Sequence, residues 1–256
     1  RAFLCYVQTS TNRWGGGSNA SIAQASMSTL DTYWRTLQAI FSWFGREGVV
    51  GRDLNPLIKI PRPKVPTKVI QDIPLDLIVK ALDEWDNTTL IGARNRAILL
   101  LLLDTGIRLS ECAGINIADL NLRDGTARVW GKGGKQRTIP LSDTVKSVLG
   151  SYLLFLPGHE GPLWVDRNGK PIDKRGIQTM VRKLRKLGGN VRWSPHTFRN
   201  TFAVNFLRAG GDPFTTLFLL HSPPSLESTF LNFSHRGEEG NEVKARICYN
   251  FFCLGR

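Results

Sequence analysis

The sequence is poor in the residues that build metal sites and disulfide frameworks. It has four cysteines and four histidines among 256 residues, and no cysteines form the paired CxxC units of a zinc site. Cys248 and Cys253 are separated by four residues and have no histidine beside them. This pattern favours a reduced, cytoplasmic chain without a metal site.

Acidic residues and long apolar runs are also scarce. There are 21 Asp+Glu against 34 Lys+Arg, which gives a net charge of +13. The longest apolar run, residues 97–107, is broken by Asp104 and is shorter than the roughly 20 residues that cross a bilayer. We therefore expect no membrane partner. The positive charge favours nucleic acid as a partner, and a basic surface kept only for solubility is the alternative.

The first 60 residues predict a small helical domain. Apolar residues recur at spacings of three and four between Ser28 and Phe44, which is typical of a helix that buries one face. Ser28 is the expected N-cap of this helix, and Gly45 is the expected stop. Because the chain starts without a methionine, inside the amphipathic stretch RAFLCYVQ, we expect this domain to be truncated at its N-terminus.

A basic, proline-rich segment follows this helical domain. The stretch KIPRPKVPTKV has three prolines and four lysines and arginines in eleven residues. Such a segment disfavours helix and sheet pairing, and it predicts an extended linker over residues 61–69. Within it, Lys64 and Lys68 are candidate contacts to DNA phosphates, although most proline-rich linkers are only spacers.

Residues 70–256 predict a second, larger domain. Helical patterns cover residues 75–85, a buried helix that ends at Thr105–Gly106, and residues 143–156, 174–187 and 196–208. The stretch TARVWGKGGKQRTIPL, residues 126–141, alternates on both sides of a glycine-rich turn and predicts a β-hairpin. The fold class is therefore α+β, mainly helical, with a small antiparallel sheet.

Three short motifs carry residues suited to phosphate chemistry. DTGIRLSE places Arg108 just after a helix end, with Glu111 three residues on, where the two form either a structural ion pair or a supported anion site. The hairpin turn carries Lys132 and Lys135, which lie either in a solvated turn or against a phosphate. In HTFR, His196 and Arg199 share one face near a helix N-terminus, a position that favours anions.

Together these motifs resemble a known family. TGIRLSE, GKGGKQRTIPL and HTFRNTFAVNFLRAGGDP, in this order, resemble the catalytic domain of tyrosine recombinases, the phage-integrase and Xer type of site-specific DNA recombinase. The likeness covers most of residues 70–221. The N-terminal stretch looks like the SAM-like helical core-binding domain that precedes it. The resemblance implies cutting and rejoining of double-stranded DNA through a 3′-phosphotyrosyl intermediate, in a homotetramer on paired sites, without a metal or small-molecule cofactor.

The resemblance also implies a role for individual residues. Glu111 would support the first catalytic arginine, and Lys135 and Arg137 would contact DNA from the hairpin. The expected catalytic residues are Arg108 and Arg199 on the scissile phosphate, Lys132 protonating the leaving 5′ oxygen, His196 assisting proton transfer, and His221 on a phosphate oxygen.

The expected nucleophile is missing from the sequence. The family places a tyrosine nine residues after the later histidine, and here that position, 221 plus nine, is Phe230. Shifting the register by two or three residues gives Asn232 or Phe233, which also lack the phenol. The alternative nucleophile is Tyr249 in the tail, whose other interpretation is packing among aromatic neighbours. We therefore expect impaired strand cleavage, with a catalytically inactive DNA-binding remnant as the alternative function.

Two further hypotheses are weaker. A generic basic nucleic-acid-binding helical protein would make the three ordered motifs a coincidence. A type IB topoisomerase would share the chemistry, but the Xer-like hairpin and the short linker argue against it.

Overall fold

The structure is a computed structural model, and it describes residues 2–9, 24–51, 54–66, 71–131, 134–158, 160–189, 191–213 and 215–216. The chain divides into two compact units, Arg1–Val69 and Ile70–Arg256. No helix among the described residues is long and apolar enough to span a membrane.

The first unit is built on two helices, α1 (Ala2–Thr9) and α2 (Met27–Arg46). The N-cap of helix α2 is Ser26, two residues before the predicted cap Ser28, because the side chain of Ser26 accepts the N–H of Thr29. The helix also continues past the expected stop, and ends at Arg46 instead of Gly45. The prediction of this helix is thus confirmed, and its two end signals were wrong.

The beginning of the proline-rich segment is hydrogen-bonded to side chains of α2. The Trp34 indole N–H donates to the carbonyl oxygen of Ile60, and the Arg62 guanidinium donates to both carboxylate oxygens of Asp31 at 2.6 and 3.2 Å. Asp31 is buried, and its hydrogen bond from Arg62 lowers the pKa of the carboxyl. Residues 60–62 therefore belong physically to the first unit.

The second unit contains α3 (Leu75–Asp83), α4 (Leu90–Thr105), α5 (Leu109–Ala113), α6 (Asp143–Leu153), α7 (Lys174–Lys183) and α8 (Pro195–Arg208). Its sheet has the order β1 (Leu120–Asn121), β2 (Thr126–Trp130) and β3 (Gln136–Pro140), and all pairs are antiparallel. This mainly helical architecture with a small antiparallel sheet confirms the predicted fold class.

Helix α4 forms the centre of the core. Its buried side chains lie all around the helix, and they pack with residues of α3, α6, α7 and the sheet. The helix ends at Gly106, whose φ of 57° lies in the left-handed region that glycine adopts without a Cβ clash. The predicted stop at Thr105–Gly106 is confirmed, and it sets the chain direction into the next motif.

The helices predicted at 143–156 and 174–187 are shorter than expected. Helix α6 ends at Leu153, and α7 ends at Lys183 and continues as a 3₁₀ turn over Leu184–Leu187. The last turn of a helix commonly tightens in this way, because its final carbonyls have no partners further along. The apolar pattern of the sequence continues from α7 through the 3₁₀ turn, so it does not show where the α-helix ends.

Candidate functional site

The site begins at the junction between α4 and α5. Gly106 turns the chain, Ile107 is 1% exposed and anchors the turn in the core, and Arg108 follows as the N-cap residue of α5. The Arg108 side chain is 39% exposed. Its guanidinium is therefore partly exposed next to a residue that is buried in the core.

Glu111 is the centre of the hydrogen-bond network. Its side chain is 1% exposed. Its Oε1 accepts from Nη1 of Arg108 at 2.8 Å, and its Oε2 accepts from the Arg108 backbone N–H at 2.9 Å. Burial alone would favour the neutral acid, but these bonds and those from Arg137 outweigh it, so the pKa of Glu111 is lowered. Glu111 is thus a buried carboxylate at neutral pH.

Arg137 on β3 supplies the second guanidinium at this carboxylate. Its Nη2 donates to Oε2 of Glu111 at 2.7 Å, and its side chain is only 12% exposed. The resemblance led us to expect Arg137 as a DNA contact. The structure instead places it mostly buried, in contact with Glu111.

Arg199, on α8, lies next to the junction between α4 and α5. Its Nη1 donates to the carbonyl oxygen of Gly106, and its guanidinium is partly buried close to two other arginines. Burial first, and then the positive charge of Arg108, lower the pKa of Arg199 to about 10, with Glu111 opposing the shift. Arg199 still carries its charge at neutral pH.

The resulting cluster of Arg108, Arg137, Arg199 and Glu111 has an excess of positive charge. Three guanidiniums and one carboxylate sum to +2, and the carboxylate is already bonded to two of the arginines. A guanidinium is suited to bidentate recognition of phosphate oxygens. The exposed Arg108 and the adjacent Arg199 therefore form a candidate site for a phosphate group.

His196 lies near this cluster along the chain, in the first turn of α8. Ser194 caps the helix by accepting the N–H of Thr197, Pro195 occupies the first turn, and His196 is exposed. The partial positive charge of a helix N-terminus adds to the attraction for an anion. Its imidazole is thus accessible at the anion-favouring end of α8, three residues before Arg199.

Helix α8 is tied to the start of the unit. The backbone N–H of Ile73 donates to Oγ1 of Thr201 at 2.9 Å, and Thr201 is fully buried. Arg208, at the end of α8, forms an ion pair with Asp72. These contacts fix the helix that carries His196 and Arg199.

The other expected site residues divide into two groups. Lys64 and Lys135 are described, and both are exposed. The remainder lie outside the described residues: Lys68, Lys132, His221, Phe230 and Tyr249. Over the described ranges, no group of three His, Cys, Asp or Glu residues has the arrangement of a metal site.

Sequence reasoning missed two features of the site. The Gly106 carbonyl is a main-chain partner of Arg199, and no sequence pattern signals such a contact. The inward position of Arg137 did have a signal, because it pairs with the buried Val129 and shares the face of the buried Ile139. Strand alternation places these side chains on one side of the sheet.

A comparison with protein families supports the resemblance. The model of the phage integrase family matches residues 72–218, more than half of the 256-residue chain. The matched range includes the whole Arg108, Glu111, Arg137 and Arg199 cluster.

Named relatives are similar over more than two thirds of the chain. A tyrosine recombinase XerC of Thermodesulfovibrio yellowstonii is 32% identical over 187 residues, which cover 69% of this chain and 62% of the relative. A tyrosine recombinase XerD of Staphylococcus haemolyticus is 31% identical over 195 residues, covering 73% and 65%. The chain thus spans less than two thirds of the length of these relatives.

Solved structures share the fold. The integrase of mycobacterium phage Brujita superposes with a TM-score of 0.52 at 27% identity, covering 88% of this chain and 72% of that one. The XerH site-specific recombinase, in a pre-cleavage complex with its difH substrate, gives a TM-score of 0.56 at 20% identity, covering 86% and 65%.

Proposed function

Because the chain belongs to the phage integrase family of tyrosine recombinases, we propose that it acts on double-stranded DNA as a site-specific recombinase or integrase. The observation that carries this proposal is the cluster of Arg108, Arg137 and Arg199 at the buried Glu111 carboxylate, with a charge of +2 and with the Arg108 side chain 39% exposed. A positively charged, preorganised site stabilises the charge that develops on a phosphoryl group during transfer. The +13 charge of the chain favours the same partner.

The proposed chemistry is strand exchange without a metal or small-molecule cofactor. Arg108 and Arg199 bind the oxygens of the scissile phosphate, and Glu111 holds Arg108 in place. His196 and His221 assist at the phosphate, while Lys132 protonates the leaving 5′ oxygen. In an active chain a tyrosine hydroxyl then forms a 3′-phosphotyrosyl bond, which keeps the energy of the broken phosphodiester for rejoining.

In this chain the nucleophile position is Phe230, so we propose that strand cleavage is impaired. A phenyl ring has no oxygen to attack phosphorus. Tyr249 is the substitute nucleophile to be tested, since it is the one tyrosine after His221.

The first unit is proposed to act as a core-binding domain. In this assignment, residues 1–60 and the catalytic unit, residues 70–256, contact the duplex together, and the segment 61–69 joins them. The exposed Lys64 and Lys135, together with Lys68, contact phosphates. Assembly as a homotetramer on two paired sites completes the proposal.

A second function, a DNA-binding remnant without chemistry, is favoured by one observation. Residue 230, the nucleophile position in the proposed register, is phenylalanine, while the residues of the phosphate cluster are all present. Such a chain would occupy a recombination site and exclude or modulate active relatives.

One experiment separates the two functions. A duplex is first selected for binding from a randomised pool, and a nicked version is incubated with the chain and with Phe230→Tyr, using Phe233→Tyr as the matched control. A covalent adduct on a denaturing gel with Phe230→Tyr, and none with Phe233→Tyr, supports the recombinase and the proposed register.

Other results have distinct meanings. An adduct with the unaltered chain that disappears in Tyr249→Phe identifies the tail nucleophile and contradicts impaired cleavage. Salt-sensitive binding without any adduct supports the remnant. Selection of no duplex at all, with a folded chain, contradicts both functions.

A further inference from the structure

Arg137 differs from the other arginines of the cluster in what it can reach. Its side chain is 12% exposed, against 39% for Arg108, and its Nη2 points to Oε2 of Glu111 at 2.7 Å. A guanidinium that is both covered and bonded in this way is poorly placed to meet a phosphate from outside. Its hydrogen bond to Glu111 gives it an indirect route to Arg108.

The hydrogen bonds at Glu111 show what that contribution is. Oε2 accepts from Arg137 and from the Arg108 backbone N–H, while Oε1 accepts from the Arg108 guanidinium. The bond from Arg137 adds a charged donor at Oε2, which supports the carboxylate orientation in which Oε1 faces Arg108. Without the bond from Arg137, the Glu111 carboxylate would have one charged partner fewer to restrict its rotation about χ3.

Arg137 also connects the hairpin to α5. It lies in β3, opposite Val129, two residues beyond Lys135, the last residue of the turn between β2 and β3. At the start of this turn, the Gly131 N–H donates to the Lys135 carbonyl at 2.7 Å. A Cβ on Gly131 would lie 3.8 Å from Oε1 of Glu111, so the turn begins against the same carboxylate. The ion pair between Arg137 and Glu111 therefore joins the strand that leaves the turn to the helix that Arg108 begins.

We propose that Arg137 is a positioning residue of the phosphate site, which orients Glu111, and through it Arg108, and fixes the start of β3, next to Lys135, relative to α5. This inference rests on the proposed function, since it assigns Arg108 to a DNA phosphate. It replaces the expectation that Arg137 contacts DNA itself.

A double-mutant cycle tests this role with DNA binding as the measurement. Affinity for the selected duplex is measured for the unaltered chain, Arg137→Met, Arg108→Met and the double variant. We expect Arg137→Met to weaken binding by about threefold or more in the unaltered chain and by less than about twofold when Arg108 is already absent. The same fold loss in both backgrounds overturns the proposal, because it means an independent DNA contact or a general effect on the fold.

Arg128 provides the matched control. It lies on β2 of the same sheet, is 52% exposed, and pairs with Asp119 instead of Glu111. Arg128→Met is expected to have the same effect with and without Arg108. Arg137→Lys, which keeps the charge and one hydrogen bond, should recover part of the affinity that Arg137→Met loses. If Arg137→Met does not fold, Arg137→Lys replaces it in the double-mutant cycle.

A spectroscopic titration separates failure of this inference from failure of the proposed function. The pKa of the Glu111 carboxyl is followed by carbon-13 NMR, and it should rise in Arg137→Met and stay unchanged in Arg128→Met. If the chain binds no duplex, the proposed function fails, and the titration alone decides whether Arg137 acts on Glu111. An unchanged pKa of Glu111 in a folded Arg137→Met overturns the inference.

Discussion

The guanidinium of Arg199 donates a hydrogen bond to the backbone carbonyl oxygen of Gly106, the residue at which α4 ends. Gly106 also leads directly into the turn that presents Arg108. The two arginines of the proposed phosphate site are therefore related through the main chain at Gly106, in addition to the side-chain contact of Arg108 with Glu111. Preorganisation of this kind is what a site for a developing negative charge requires.

The left-handed conformation of Gly106 gives a first prediction. Gly106→Ala places a Cβ at a φ of 57°, which costs roughly 1 to 2 kcal/mol. We expect the free energy of unfolding to fall by that amount and the affinity for duplex DNA to fall with it, because relief of the strain moves the carbonyl that holds Arg199. Urea unfolding and a binding titration measure the two effects.

Gly150 in α6 offers the opposite control. A Cβ at this position meets nothing within 4 Å, and alanine is favoured over glycine inside a helix by about 1 kcal/mol. Gly150→Ala should therefore stabilise the chain and leave DNA binding unchanged. Similar destabilisation by both substitutions would contradict the special role of Gly106.

Neutralising the buried carboxylate gives a second prediction. Glu111→Gln leaves two guanidiniums without their counter-charge, and loss of one partner from a buried ion pair costs about 3 to 5 kcal/mol. Urea unfolding at neutral pH measures the loss. Asp143→Asn is the control, since the Asp143 side chain is 95% exposed in its pair with Lys146, and its removal should cost no more than about 1 kcal/mol.

The lowered pKa of Glu111 gives a third, pH-dependent prediction. Because hydrogen bonds hold the folded-state pKa below the ordinary value of 4.5, the stabilisation by the carboxylate is complete above pH 4.5 and is lost as the pH falls through the folded value. The difference in unfolding free energy between the chain and Glu111→Gln should be constant from about pH 8 to 5 and then shrink. Shrinkage that begins near pH 7 would instead mean that burial dominates and raises the pKa.

The hydrogen bond between Thr201 on α8 and the backbone of Ile73 gives a fourth prediction. Thr201→Val keeps the size of a fully buried side chain but removes the acceptor of the Ile73 N–H, and a buried unpaired donor costs about 1 to 3 kcal/mol. We expect that loss in unfolding free energy and faster hydrogen exchange of the Ile73 amide. Thr138→Val on the exposed face of β3 should change stability by less than about 0.5 kcal/mol.

Much of the fold of the second unit was predictable because its signals are local. The continuous apolar run of α4 and the glycine after it define a buried helix and its end. Alternation on both sides of a glycine-rich turn defines the hairpin. The ends of α2 were not predictable in the same way, since Ser26 and Ser28 are chemically equivalent as caps, and the structure uses the earlier one.

The cluster could be predicted in part. Arg108 and Glu111 are three residues apart, so their contact follows from helix geometry. The bond between Arg199 and Gly106 joins residues 93 positions apart, and it depends on how α8 packs against α4. Such packing is a property of the whole core and leaves no mark in a short motif.

The attachment of Arg62 to α2 changes where the two units can be separated. Asp31 is 5% exposed and is bonded to Arg62 and Arg35. A polypeptide that ended at Ile60, the boundary that proline content suggests, would keep the buried carboxylate and discard the guanidinium that lowers its pKa. Production of the first unit alone therefore calls for a C-terminus beyond Pro63.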